Sequence, residues 1–279
     1  VPTLPLNPGL LLRALRELRG PTLTFGLVIA GLSGLLSYVL PRVQARFLQR
    51  GFIPEPVRQL RNAMFGFDGA NAGVADIAFG LAWSHPIILS LLSAHAILAC
   101  TRVPAGEVER GTIDVLLALP ISRWKLFVSE SAAWIMSATA LLGLMFLGSY
   151  CGAQFIRPEY RPDWSRLLMV LANLSLVYAV IGTLAMLFAT LTDRRGRAVM
   201  AVIILTVASI TINFLYLLDP SLEFTKSIAF LSFLEYYRPV QMLMGEGWPW
   251  KNLAILAGVA LALWTSAGVI LSRRDITTT

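Results

Sequence analysis

The residues that could do chemistry in this chain gather in one polar stretch and at two isolated positions. The stretch runs Glu107-Val108-Glu109-Arg110-Gly111-Thr112-Ile113-Asp114. Its residue types suit recognition of another surface rather than bond making. Gly111 permits a sharp turn. Thr112 suits a helix N-cap, and Asp114 falls in the first turn, where the helix dipole favours an anion. Ile113, Leu116, Leu117 and Pro120 follow at i, i+3, i+4 and i+7, and Pro120 stops the helix. The spacing predicts a helix over 111–119 of about two turns, with one apolar face and a charged start. Such a helix neither crosses a bilayer nor stands alone in water. It needs the membrane interface, its own bundle or a soluble partner to cover its apolar side. The isolated positions are His95, inside an apolar run, and Glu130, near the start of another. Ionisable groups at membrane depth are candidates for a transport pathway. For His95 a hydrogen-bonded place within the bundle is the simpler alternative, and Glu130 is near enough to a span end to reach the interface.

Covalent and metal chemistry have little to work with. Two histidines, and two cysteines outside any CxxC motif, make neither a zinc cluster nor a disulfide scaffold. Cys100 and Cys151 are expected at opposite faces of a membrane, too far apart to bridge. The chain contains no Gly-Lys pair and therefore no GxxxxGK[ST] phosphate loop. No catalytic residue, cofactor site or metal site is expected, and any ATP must be bound by another chain.

The elements that position these residues are set by composition. Of 279 residues, 56% are hydrophobic and 14% charged, against about 25% charged in a soluble domain. Long continuous apolar runs without period-two alternation predict an all-α integral membrane protein rather than a barrel. Six spans are expected at about 22–40, 77–100, 124–151, 167–191, 198–218 and 253–271, forming one transmembrane domain over 1–279. Residues 8–19, PGLLLRALRELR, place Leu11, Leu12, Leu15 and Leu18 at helical spacing between arginines. They read as a separate amphipathic helix in the interface, broken at Gly20-Pro21, with span 1 ending at Pro41. Pro86 predicts a kink in span 2. Tyr236, Tyr237, Trp248 and Trp250 read as an interfacial belt. The net charge of +7 is scattered through loops, which fits membrane topology and not nucleic-acid binding. Basic residues pressed against span ends in TDRRGR (192–197) and SRRD (272–275) favour both termini in the cytoplasm.

Residues 105–123, AGEVERGTIDVLLALPISR, resemble the run GEERGTLDLLLALPVSR that permease subunits of ABC-2-type (type V) ABC transporters carry between spans 2 and 3. Gly106, Glu107, Glu109, Arg110, Gly111, Thr112, Asp114, Leu116, Leu117, Pro120, Ser122 and Arg123 carry the likeness. The segment YYRPVQMLMGEGWPWKNLAIL and the tail SRRDI extend it to the last span. The resemblance implies that 105–123 is a coupling segment on the cytoplasmic side, docking into a groove of a separate ABC ATPase subunit that holds ATP and magnesium. Glu107 and Glu109 could pair with basic side chains there. It also implies a homodimer or a heterodimer with a related permease, export as the task, and the plasma membrane of a bacterium or archaeon. One departure stands out: Ser129-Glu130 occupies a place where such permeases often have Gly-Lys. The rival classes are a secondary transporter, which needs more ionisable residues deep in the spans, and a permease-like subunit that transmits force without a substrate of its own.

Overall fold

The computed structural model describes residues 6–49, 73–113, 118, 121–218, 227–245 and 247–274. No strand occurs among them. Eight α-helices of five residues or more are described: α1 Pro8–Gln49, α2 Val74–Trp83, α3 Pro86–Cys100, α4 Arg123–Gln154, α5 Trp164–Leu191, α6 Arg195–Leu218, α7 Pro239–Leu243 and α8 Trp250–Arg273. Helices α1, α4, α5, α6 and α8, with the α2–α3 pair, supply six segments long and apolar enough to cross a membrane. The protein is thus an all-α, multi-pass membrane protein.

The described chain starts and finishes at one end of the bundle. The Asn7 backbone N–H donates to Ser129 Oγ at 2.9 Å near the start of α4. From the same end of α4, Arg123 donates to the carbonyl of Arg274, just beyond α8. This end is called the terminal end below.

Helix α1 differs from expectation. It is one helix of 42 residues that runs through both Pro21 and Pro41, about 63 Å long at 1.5 Å per residue. The separate interfacial helix at 8–19, the break at Gly20-Pro21 and the stop at Pro41 are therefore corrected: residues 8–19 are the start of α1. The buried stripe is also offset, with Leu10, Ala14 and Leu18 inside and Leu12 54% exposed. Proline in a membrane helix is tolerated where neighbouring helices hold the segment. Here the stripe continues through Thr22, Ile29, Ser33 and Ser37, and the Thr22 hydroxyl donates to the Leu18 carbonyl at 2.7 Å. Lipid offers no hydrophobic drive between helices, so close backbone approach must do the work. A Cβ on Gly148 would run into the Ala30 carbonyl, and one on Gly152 into that of Gly34. Ser33 Oγ donates across the seam to the Met145 carbonyl at 2.9 Å.

Span 2 is more than kinked. Pro86 opens α3, and the residue before it, His85, is extended (φ −61°, ψ 128°), as a following proline requires. The Ile87 N–H donates to His85 Nδ1 at 3.3 Å. At the end opposite the termini, residues 227–245 fold inward as two 3₁₀ turns and α7. Val240 sits against Gly80, which leaves no room for a Cβ. Tyr237 is buried and its hydroxyl donates to the Trp83 carbonyl at 3.1 Å, so it belongs to the core and not to a belt. Trp248 and Trp250 do stack on each other at the surface, 5.5 Å between centroids.

Candidate functional site

The segment after α3 is shaped by its own residues. The Thr101 hydroxyl closes α3 by donating to the Ile97 carbonyl at 2.8 Å. A wide turn, Arg102–Gly106, follows, with Val103 extended at φ −126°, ψ 131°. One helical turn, Glu107–Glu109, leads to Gly111 at φ +68°. Nothing lies within 4 Å of a Cβ built there. Glycine is needed for the left-handed backbone and not for space.

Glu107 is the centre of this segment and only 2% exposed. Arg110 donates to its carboxylate at 2.8 Å and Arg13 of α1 at 3.1 Å, and the Thr112 hydroxyl donates to it as well. The expectation that Glu107 is offered to a partner is corrected: its charge is neutralised inside the chain. A buried carboxylate without such partners would be costly. Glu109 is exposed, and its carboxylate accepts the Arg195 backbone N–H at 2.8 Å. Arg195 in turn donates to Thr101 Oγ1 at 3.2 Å and to the Leu98 carbonyl at 2.9 Å. A small second core joins the same parts, with Leu10 of α1, Ile113 and Leu126 of α4 packed with Val103, Val108 and Ile121. The segment is thereby fastened to α1, α4 and α6.

A second set of charges lies beside it. Arg102 donates through one terminal nitrogen to Glu17 of α1 and through the other to Glu130 of α4. Arg13 also donates to Glu17, at 2.8 Å. The Arg102 side chain is 10% exposed and that of Glu130 13%. The acidic departure at position 130 is thus matched by an arginine at 102. The Arg102 Nε is buried with no acceptor among the described residues, a state that costs about 1–3 kcal/mol.

Arg110, Gly111 and Thr112 therefore stand with Glu107 in one turn, and Arg123 ties the start of α4 to the chain beyond α8. Asp114, Leu116, Leu117 and Pro120, and with them most of the helix expected at 111–119, lie outside the described residues. So does any capping bond from Thr112 to the turn that follows. The expected first residue of that helix, Gly111, is left-handed at φ +68° and so is not helical. His95 is fully buried away from this cluster. Its Nδ1 lies 2.8 Å from the Tyr178 hydroxyl, and its Nε2 lies 3.3 Å from both Thr22 Oγ1 and Ser137 Oγ. Trp134 Nε1 donates to the same tyrosine at 3.0 Å. This knot joins α1, α3, α4 and α5, with both ring nitrogens of His95 occupied. Among the described residues no three His, Cys, Asp or Glu side chains could hold a metal. Both cysteines are free thiols.

Sequence reasoning missed Arg13, Glu17, Arg102 and Arg195. One signal was available: Glu17 is the lone acid among the arginines of 8–19, and an isolated opposite charge on a helix invites a partner. Arrangements of this kind bind and transmit.

A family model described as "ABC-2 family transporter protein" matches residues 26–276. No curated protein matches the chain.

Proposed function

The chain belongs to the ABC-2 family of transporter proteins, and from that membership we propose that it is the permease subunit of an exporter whose ATP is hydrolysed on a separate chain. Residues 105–123 are the docking segment for that ATPase. Two such permeases, identical or related, pair in the plasma membrane of a bacterium or archaeon, with both termini in the cytoplasm.

One observation carries the coupling role. The loop is a fastened piece, with Glu107 buried against Arg13 and the Leu10–Ile113–Leu126 core beneath it. A push on a slack loop would be lost in the loop; a push on this one reaches α1 and α4. The distribution of arginines supports the orientation. Arg16, Arg19, Arg194, Arg197 and Arg273 are exposed at the terminal end and make no ion pair among the described residues, as expected of a cytoplasmic face.

The test is capture of a co-expressed ABC ATPase subunit by the tagged permease. Gly111→Pro demands φ near −65° where the chain needs +68°, and Leu116→Asp removes an apolar anchor. Both variants should insert in the membrane and lose most of the ATPase. Retention of the ATPase by both at the parent level would remove the docking role from this segment.

A further inference from the structure

The charges around the docking segment do not all serve one purpose. Glu107, Arg110 and Thr112 close the turn on itself. Arg102 does something different. It sits two residues after the end of α3, where the span becomes loop, and its two terminal nitrogens point to carboxylates on two other spans. No other described side chain forms ion pairs with two different spans from the loop. We propose that Arg102 is a positioning residue of the transport cycle: bridging Glu17 and Glu130, it converts displacement of the docking loop into movement of α1 and α4. This rests on the docking role assigned above and deepens it.

Three features support a moving joint here rather than a static brace. Val103, the next residue, is extended and interrupts the helical course on both sides, so the backbone changes direction at the clamp. A small cavity with room for about one water lies at Glu130, lined in part by Cys100, Val103, Phe127, Trp134 and Met186, so the carboxylate is not tightly packed on every side. The buried Nε–H of Arg102 has no acceptor and is available to a third partner when the loop moves. The guanidinium is suited to this. It is planar, always charged, and has donors spread in a fork that can serve two acceptors in different directions, which a lysine ammonium on a flexible stem does not reproduce.

The experiment separates positioning from docking and from mere charge balance. The permease carries spin labels at Arg19→Cys on α1 and Arg273→Cys on α8, both exposed positions, with Cys151→Ser removing the exposed native thiol. It is purified with a co-expressed ABC ATPase subunit, and the label distance is read before and after trapping with ATP and vanadate. The parent should show a distance change. Arg102→Gln should keep the ATPase but lose at least two thirds of that change. The triple variant E17Q/R102Q/E130Q has no uncompensated charge at the clamp. It should regain the parent's melting temperature and still fail to move. Parent-like movement in the triple variant would reduce Arg102 to charge balance, and loss of the ATPase from Arg102→Gln would make it a docking residue; either overturns the proposal. So would a parent that holds the ATPase yet does not move. A parent that captures no ATPase sinks the proposed function, and this inference with it.

Discussion

The two ends of the bundle differ in what their arginine ion pairs join. At the end away from the termini, Arg42 donates to the carbonyl of Phe155, Arg161 to those of Gln154 and Ile156, and Arg166 to that of Leu243. The arginine ion pairs described at that end are local in the chain, Arg157–Glu159, Arg166–Asp163 and Arg238–Glu235, and the long-range contacts of Arg42 and Arg166 go to backbone acceptors. At the terminal end, Arg13, Arg102 and Arg110 meet Glu17, Glu107 and Glu130, and the partners stand on α1, on the loop and on α4. A carbonyl acceptor moves only with its backbone. A carboxylate on a side chain can be exchanged between donors. Among the described residues, only the terminal end joins chain-distant segments through arginine–carboxylate pairs, alongside the carbonyl contacts of Arg123, Arg195 and Arg274.

The sharpest way to break this comparison is to remove one arginine from each end. Arg102→Ala leaves Glu130, 13% exposed, without its partner. Loss of one member of a buried pair costs about 3–5 kcal/mol. The lower end of that range is expected, because Glu17 is 34% exposed and keeps Arg13. Arg161→Ala frees the exposed Gln154 carbonyl, which can rehydrate, and a longer, half-buried contact to the Ile156 carbonyl at 3.4 Å, for about 0.5–1.5 kcal/mol. Unfolding of both variants in detergent by increasing sodium dodecyl sulfate, followed by circular dichroism, measures the difference. An equal or larger loss for Arg161→Ala would end the contrast.

What the sequence discloses about these ends is uneven, for physical reasons. Spans are legible because bilayer crossing demands about 20 apolar residues in a row, and six helical segments of that length and composition occur among the described residues. The turn at Gly111 is legible because few residues other than glycine adopt φ +68° readily. Continuity through Pro21 and Pro41 is not, since proline's local cost is overridden by tertiary neighbours such as the glycine seam with α4. Nor are ion pairs between residues 94 or 85 apart in the chain, as in Arg13–Glu107 and Glu17–Arg102. Charge type is visible in a sequence, but the choice of partner belongs to the packing. Glu107 shows the consequence. Its residue type suggested a group offered to a partner, and its surroundings make it a buried keystone.

A smaller effect sharpens the end away from the termini. Tyr237→Phe keeps the ring in its buried site and removes one hydrogen bond, leaving the Trp83 carbonyl without this donor. The cost should be about 1–2 kcal/mol. Because the contact joins residues 227–245 to the α2–α3 pair at the end away from the docking loop, ATPase capture should be unchanged. A drop in capture comparable to that of Leu116→Asp would mean that the two ends are coupled more tightly than their construction suggests.

The smallest effect on stability concerns the exposed arginines, and it bears on orientation. Arg194, Arg197 and Arg273 lie around the α5–α6 turn and the end of α8. Arg274, beside them, already meets the nearby Asp193 and the Thr190 carbonyl. Substituting all three by glutamine removes no described contact, so the fold should change by no more than about 0.5 kcal/mol per site. Their effect is on insertion. Basic residues close to span ends hold a segment on the cytoplasmic side, whereas basic residues on long loops weigh less. At the other end Arg46 and Lys251 are also exposed, so the balance between the two faces is not one-sided. R194Q/R197Q/R273Q should therefore raise the fraction of inverted chains measurably, while Arg161→Gln, whose guanidinium is engaged with carbonyls, should leave it unchanged. Reporter fusions at the C-terminus that are active on only one side of the membrane read this fraction directly. If the triple variant kept the parent's orientation while Arg46→Gln or Lys251→Gln altered it, the assignment of the terminal end to the cytoplasm would have to be reversed.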